Sequence, residues 1–261
     1  MYFLTLSLNI ILSAFFIFLR VTGFFLSAPF FNGNSIPNQI KLYAAIIFSF
    51  LILNVLVLQG FNPTLELSIL EISTIVIREI LIGVALGFTG QIIFAGLDLA
   101  GSLISYQTSL SFANMVDAST QQQNSVLSNL LTTLGVLIFL GIGGEKIILN
   151  GLIKSFEIVP LGTGNIYYIG PYLLEIATFL FLIGLQITIP FILVILLIDV
   201  SLAIFARIMP QVNLMFISLP IKFGVGLVLL ILLIPYLPTI YEIIFARIPE
   251  YLMEMIEVIS R

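Results

Sequence analysis

Cysteine and histidine are both absent from the 261 residues. Their absence removes disulfides, thiol nucleophiles, imidazole bases and the usual zinc and haem ligands together, so no cofactor is expected. Charge is scarce as well. Only 8% of the residues are Asp, Glu, Lys or Arg, against about 25% in an ordinary soluble domain. The net charge is −4 and the sequence pI about 4.7, which argues against a nucleic-acid partner. No polar block is long enough to form a soluble domain. What is abundant is apolar: 60% of the residues are hydrophobic and the mean hydropathy is +1.23. These are the properties of an integral membrane protein in contact with lipid. The opening Met1-Tyr2-Phe3-Leu4-Thr5-Leu6 has neither a basic region nor a small-residue cleavage site near Ala14, and reads as a membrane segment rather than a removable signal.

Crossing a hydrocarbon core of about 30 Å takes roughly 20 apolar residues as helix. The sequence predicts an all-α, polytopic fold with about six such segments, near Leu4–Leu26, Leu42–Leu58, Ile72–Leu97, Val126–Ile142, Tyr172–Ile208 and Leu214–Phe245. The last two exceed a simple span, so tilted or broken helices are expected there. Pro29, Gly33 and Pro37 break the chain after the first segment, Gln59-Gly60-Phe61-Asn62-Pro63 makes a turn after the second, and Thr64 or Ser68 is placed to cap the third. Pro210 ends the fifth segment, with Arg207 in its last turn, where a cation suits the helix dipole. Asn213 is placed to cap the sixth. The tail Ile240–Arg261 spaces Glu250, Glu254 and Glu257 along one face. It reads as an amphipathic helix, too acidic for anionic lipid and better suited to a protein partner.

The segments carry few charges, and these are candidates for packing or pairing: Arg20, Arg78, Glu79, Asp98, Asp199 and Arg207, with Glu175 also inside the fifth segment. Ionisable groups inside membrane segments face a bundle interior. Glu79, Gly83 and Gly87 recur every four residues and share one helix face, suited to close helix packing. Arg78 and Glu79 are sequence neighbours and do not face one another, so each needs another partner. A structural ion pair is expected rather than a proton relay. Lys and Arg in the flanks give no clear excess on either side of the membrane, as in a chain held in place by an assembly.

The stretch 101–131, centred on Tyr106–Asn124, is different in kind. It is rich in Ser, Thr, Gln and Asn, carries Asp117 as its only formal charge, and lies between oily segments. Irregular polar backbone at membrane depth is tolerated only inside protein or a water-filled cavity. The reading is a stretch that lines or closes a passage. The glycines of 141–165 lack phosphate-loop spacing, and no Gly-x-Ser-x-Gly elbow supplies a nucleophile, so no enzyme is expected.

Several runs resemble the FliR family of the flagellar type III protein-export apparatus. They are Tyr106-Gln107-Thr108-Ser109-Leu110-Ser111-Phe112-Ala113 with Val116-Asp117, and Arg20-Val21-Thr22-Gly23-Phe24-Phe25 with Ala28-Pro29-Phe30-Phe31, Ile36-Pro37 and Lys41. The Arg78-Glu79, Gly83, Gly87 run, Ser155-Phe156 with Pro160-Leu161-Gly162, and Arg207, Pro210-Gln211, Asn213, Pro220 and Lys222 complete the pattern across the chain. Ser109 stands where a glycine is usual in that family, and Ala118 where a proline is. The resemblance implies a core subunit of the flagellar export gate, in the bacterial inner (cell) membrane at the flagellum basal body. Its partners would be FliP and FliQ, with FlhB and FlhA nearby, and its cargo unfolded flagellar proteins. It implies a FliP-like part over 1–165 and a FliQ-like helical hairpin over 166–261. It also implies a plug loop, with Gln107, Leu110, Phe112, Met115, Val116 and Asp117 as the gate residues. The alternative is a small-solute or ion transporter, supported by the intramembrane charges and proline-broken helices but lacking an inverted repeat.

Overall fold

The computed structural model describes residues 2–29, 37–58, 69–111, 125–211 and 213–261, with side-chain environments from residue 9 onward. All regular structure among them is helical: α1 (Tyr2–Ser27), α2 (Asn38–Leu58), α3 (Ile69–Gln107), α4 (Val126–Gly141), α5 (Gly144–Ile158), α6 (Ile169–Ile208), α7 (Leu214–Leu233), α8 (Leu237–Phe245) and α9 (Ile248–Ser260). Five helical stretches are long and apolar enough to cross a membrane, or six if α4 and α5 together make one broken span. The protein is thus all-α and polytopic.

The helices form two compact units, each assembled from distant stretches: Met1–Ile92, Gly143–Ile176 and Arg247–Arg261 make the first, Ile93–Ile142 and Ala177–Ala246 the second. In the first unit α1 and α3 touch backbone to backbone. A Cβ on Gly83 would lie 2.0 Å from the Arg20 carbonyl oxygen, and one on Gly23 would lie 2.6 Å from that of Ile80. Only glycine permits so close a crossing. α2 buries the stripe Lys41, Ala45, Ser49, Ile52 and Leu56 and turns Ile47, Phe50 and Leu51 outward. In the second unit Phe94, Phe139 and Phe245 stack with centroids 5.0–5.5 Å apart, and the Tyr241 hydroxyl donates to the Leu131 carbonyl at 3.0 Å.

Several boundaries differ from the sequence expectation. α3 runs ten residues past Leu97, to Gln107, because the polar residues there pair with Ser125 and Ser128 rather than with water. Gly141 and Gly143 lie at the end of α4, and a further helix, α5, follows that was not among the predicted segments. Gly143 supplies the left-handed turn between them at φ 75°. The expected sixth segment is divided by a 3-10 turn at Ile234–Tyr236, where Pro235 removes an amide donor. The tail helix likewise splits, and only α9 carries the three glutamates. Its apolar face (Ile248, Leu252, Met255, Ile256 and Ile259) is buried against α5 of its own chain, so that face is not left free for a partner. Asn213 does cap α7, its Oδ1 accepting from the Met215 amide at 3.1 Å. Thr64 and Ser68 lie outside the described residues.

Candidate functional site

Arg20 on α1 and Glu79 on α3 are both fully buried, and Arg20 Nε donates to Glu79 Oε2 at 2.6 Å. Each also bonds to backbone groups. Arg20 Nη1 donates to the carbonyls of Ser155 at 2.9 Å and Val159 at 3.1 Å. The Phe156 ring centroid lies 4.4 Å from the guanidinium carbon, a cation–π distance. Glu79 Oε1 accepts the Gly162 amide at 2.8 Å. Gly162 sits at φ 79°, which a side chain rarely adopts, and its carbonyl accepts from Arg78 Nη1. Arg78 and Glu79 therefore work on the same turn from adjacent positions without facing one another. Arg20 Nη2 has no partner among the described residues. The arrangement ties α1, α3, the end of α5 and the turn 159–162 into one knot. Sequence reasoning singled out Arg20, Arg78 and Glu79. It noted Ser155, Phe156 and Gly162 only as motif residues and assigned them no contact. The available signal was that an unpaired intramembrane Arg and Glu each need several partners.

The polar stretch is anchored at both ends by hydroxyls. Ser102 and Ser128 meet at 2.8 Å, Ser105 and Ser125 are in direct hydroxyl contact, and Ser128 Oγ donates to the Asp98 carbonyl at 2.8 Å. A Cβ on Gly101 would lie 2.4 Å from Ser128 Cα, so α3 and α4 cross in contact here. Ser125 also caps α4, accepting from the amides of Leu127 at 3.2 Å and Ser128 at 3.4 Å. Thr108 packs on Gly226 of α7. Gln107, the last residue of α3, and Leu110 are half-buried. Ser109 between them has φ 62°. Phe112, Met115, Val116 and Asp117 lie outside the described residues.

The other charges do not join either cluster. The Asp98 side chain is exposed, as are Arg207 and Glu175. Asp199 pairs with Lys222 at 2.6 Å across the α6–α7 hairpin, with side-chain exposures of 43% and 20%. Among the described residues no three carboxylates converge as a metal site requires.

These features define a helical membrane protein whose buried polar groups hold helices and turns in place. Residues 11–248 match the family of bacterial export proteins, family 1, and the chain belongs to that family. It is 33% identical over 219 residues to the flagellar biosynthetic protein FliR of Aquifex aeolicus, covering 84% of this chain and 83% of the relative. It is 30% identical over 244 residues to FliR of Escherichia coli, with 91% and 90% covered. FliR of Bacillus subtilis is 23% identical over 251 residues, with 94% of each covered.

Proposed function

We propose that this chain is a core subunit of the flagellar type III protein export gate, seated in the bacterial inner membrane at the basal body. With FliP and FliQ it forms the channel through which unfolded flagellar proteins leave the cell, with FlhB and FlhA alongside. The observation that carries this reading is the family match, which extends from residue 11 to residue 248 with FliR relatives covered over most of their length. The division into a FliP-like part (1–165) and a FliQ-like hairpin (166–261) is one of likeness to other chains and is separate from the compact units of this one. Two structural features support a subunit that works inside an assembly. Arg20 and Glu79 engage each other and backbone groups, as in scaffolding rather than solute binding. The hairpin leaves long apolar faces open, with Leu193, Leu196, Leu197 and Val200 on α6 and Phe216, Phe223 and Val228 on α7 exposed.

In this reading the stretch after Gln107 is the plug. Gln107, Leu110, Phe112, Met115 and Val116 narrow the closed passage, the apolar ones excluding water, while their small polar neighbours let the stretch move aside without breaking an ion pair. Asp117 marks the far edge of the seal. The test is purification from native membranes through a tag at the exposed Arg261, in mild detergent, with mass and composition measured. One copy within a larger complex of FliP and FliQ chains is expected. A monomer or homo-oligomer under several detergents would overturn the reading and favour a transporter.

A further inference from the structure

α7 buries two residues, Gly226 and Leu230, and turns Phe216, Phe223, Val228 and Leu232 outward. Gly226 meets Thr108, which is itself fully buried. A Cβ on Gly226 would lie 2.6 Å from Thr108 Cβ and nearer still to its methyl carbon, well inside normal packing distance. Thr108 has little room to retreat. Its amide donates to the Ile104 carbonyl at 2.9 Å, and its hydroxyl donates to the same carbonyl at 2.8 Å. A β-branched side chain tied by its hydroxyl is fixed at χ1, so its methyl group is held against the glycine. Gly224, two residues earlier on α7, is different: a Cβ there would meet nothing within 4 Å.

This contact stands where α3 gives way to the polar stretch. α3 ends at Gln107, and Ser109 turns the chain left-handed at φ 62°. The supports on either side of the contact are firm. Before it, Gly101 crosses Ser128 backbone to backbone and Ser105 meets the Ser125 hydroxyl, which holds α3 on α4. On α7, Lys222 pairs with Asp199 at 2.6 Å one turn before Gly226, and Leu230 is buried one turn after it. Between these supports, the direction in which the chain leaves α3 is set where the Thr108 methyl rests on Gly226. An added methyl group on the glycine has to be accommodated there, and Thr108 lies beyond the last hydroxyl pair that holds its helix.

We propose that Gly226 is a positioning residue for the plug. The Thr108 methyl rests in the gap that the missing side chain leaves on α7, and that contact sets the stretch after Ser109 in the closed passage. The inference rests on the reading of that stretch as the plug. It makes closure depend on the packing of α3 against α7 as well as on the apolar side chains of the stretch itself, and opening then takes the methyl group off the glycine.

Variants are carried as the sole copy of the chain in cells. Assembly is followed by copurification through the Arg261 tag, and leak by dye uptake and by conductance of the purified complex. Gly226→Ala is expected to assemble in normal amount and to leak about tenfold more than the parent. Adding Thr108→Gly to it removes both atoms that the new methyl meets and is expected to bring the leak back toward the parent. Gly224→Ala, which meets nothing, is expected to stay as tight as the parent. A Gly226→Ala gate that assembles and does not leak overturns the proposal. An equal leak in the double variant overturns it too, because the strain then reaches the passage without Thr108. So does a Gly224→Ala leak as large as that of Gly226→Ala. If Gly226→Ala fails to assemble, Thr108→Ser decides: it removes the methyl, keeps the hydroxyl, and is expected to leak roughly threefold more than the parent. A tight Thr108→Ser gate overturns the proposal. Deleting Leu110–Val116 in the same assay separates the two claims. If the deletion leaks while Gly226→Ala and Thr108→Ser stay tight, this inference falls and the plug stands; if the deletion assembles and stays tight, the plug falls and the inference with it.

Discussion

Arg20 and Glu79 have surrendered all contact with water, and a pair in that position is held by geometry. Removing one partner of a buried pair costs about 3–5 kcal/mol, because the other charge is left uncompensated. Arg20→Met and Glu79→Gln are therefore each expected to lower the thermal midpoint in detergent strongly, followed by circular dichroism. The double variant Arg20→Met with Glu79→Leu is expected to recover only part of the loss. It removes the lone charge but still orphans the carbonyls of Ser155 and Val159 and the amide of Gly162, at about 1–3 kcal/mol for each group left buried. A double variant destabilised by the full sum of the losses that Arg20→Met and Glu79→Leu cause singly would mean that the pair carries no coupling. Ser109 gives a second prediction at this scale. It closes α3 with φ 62°, in the left-handed region that costs a side chain about 1–2 kcal/mol. Ser109→Gly relieves that strain but adds freedom to the unfolded chain, so a net gain of roughly 0.5–1 kcal/mol is expected. Ser109→Val is expected to lose more than 1 kcal/mol. Destabilisation by the glycine, measured in the same melt, would contradict the left-handed assignment. The oddity of Ser109 was legible in the sequence, as a serine where the family resemblance implies a glycine. The pairing of Arg20 with Glu79 was legible only as a need for partners, since a separation of 59 positions hides which helix faces which.

Among the elements, α5 and α9 show why some of the architecture escaped sequence reasoning. α5 has four charged residues, Glu145, Lys146, Lys154 and Glu157, in a short helix, so a search for long apolar runs passes over it. Its buried positions, Ile148, Leu152, Ser155 and Phe156, fall on one face that only tertiary packing reveals. The amphipathic pattern of the tail was plain, but periodicity states only that a face will be covered and leaves open by what. Here the cover is intramolecular. Leu252 is 1% exposed and lies against Gly151, the Ile259 carbonyl accepts the Asn165 amide at 2.8 Å, and the Tyr172 hydroxyl donates to Glu254 at 2.8 Å. Leu252→Ala is expected to destabilise the protein by about 2–5 kcal/mol, and Glu257→Ala, on the exposed face, to leave the melt unchanged. Loss of a protein partner without loss of stability on Leu252→Ala would instead mean that α9 docks outward.

For the molecule as a whole, long helices and their order were readable because membrane spans impose length and composition together. The closing element is where sequence carries more than the described structure does. If the stretch after Gln107 seals the passage, removing Leu110–Val116 takes away its apolar side chains while sparing its anchors. Those anchors, Ser102 with Ser128 and Ser105 with Ser125, lie outside the deletion, as does the Ser125 cap of α4. The residues left, 117–124, reach roughly 26 Å when extended at about 3.3 Å each. They need only join Ser109 to Ser125, and Ser125 already touches Ser105 at the end of the same helix. The shortened chain is therefore expected to assemble with its partners in normal amount, judged by copurification through the Arg261 tag. Cells carrying it are expected to leak ions and small solutes that the parent excludes, measured by conductance and dye uptake. Replacing 110–116 with an equal length of glycine and serine is expected to leak as well, because length without apolar side chains does not exclude water. A deleted form that assembles and stays as impermeable as the parent would remove the plug from this stretch and leave the seal to other residues of the gate.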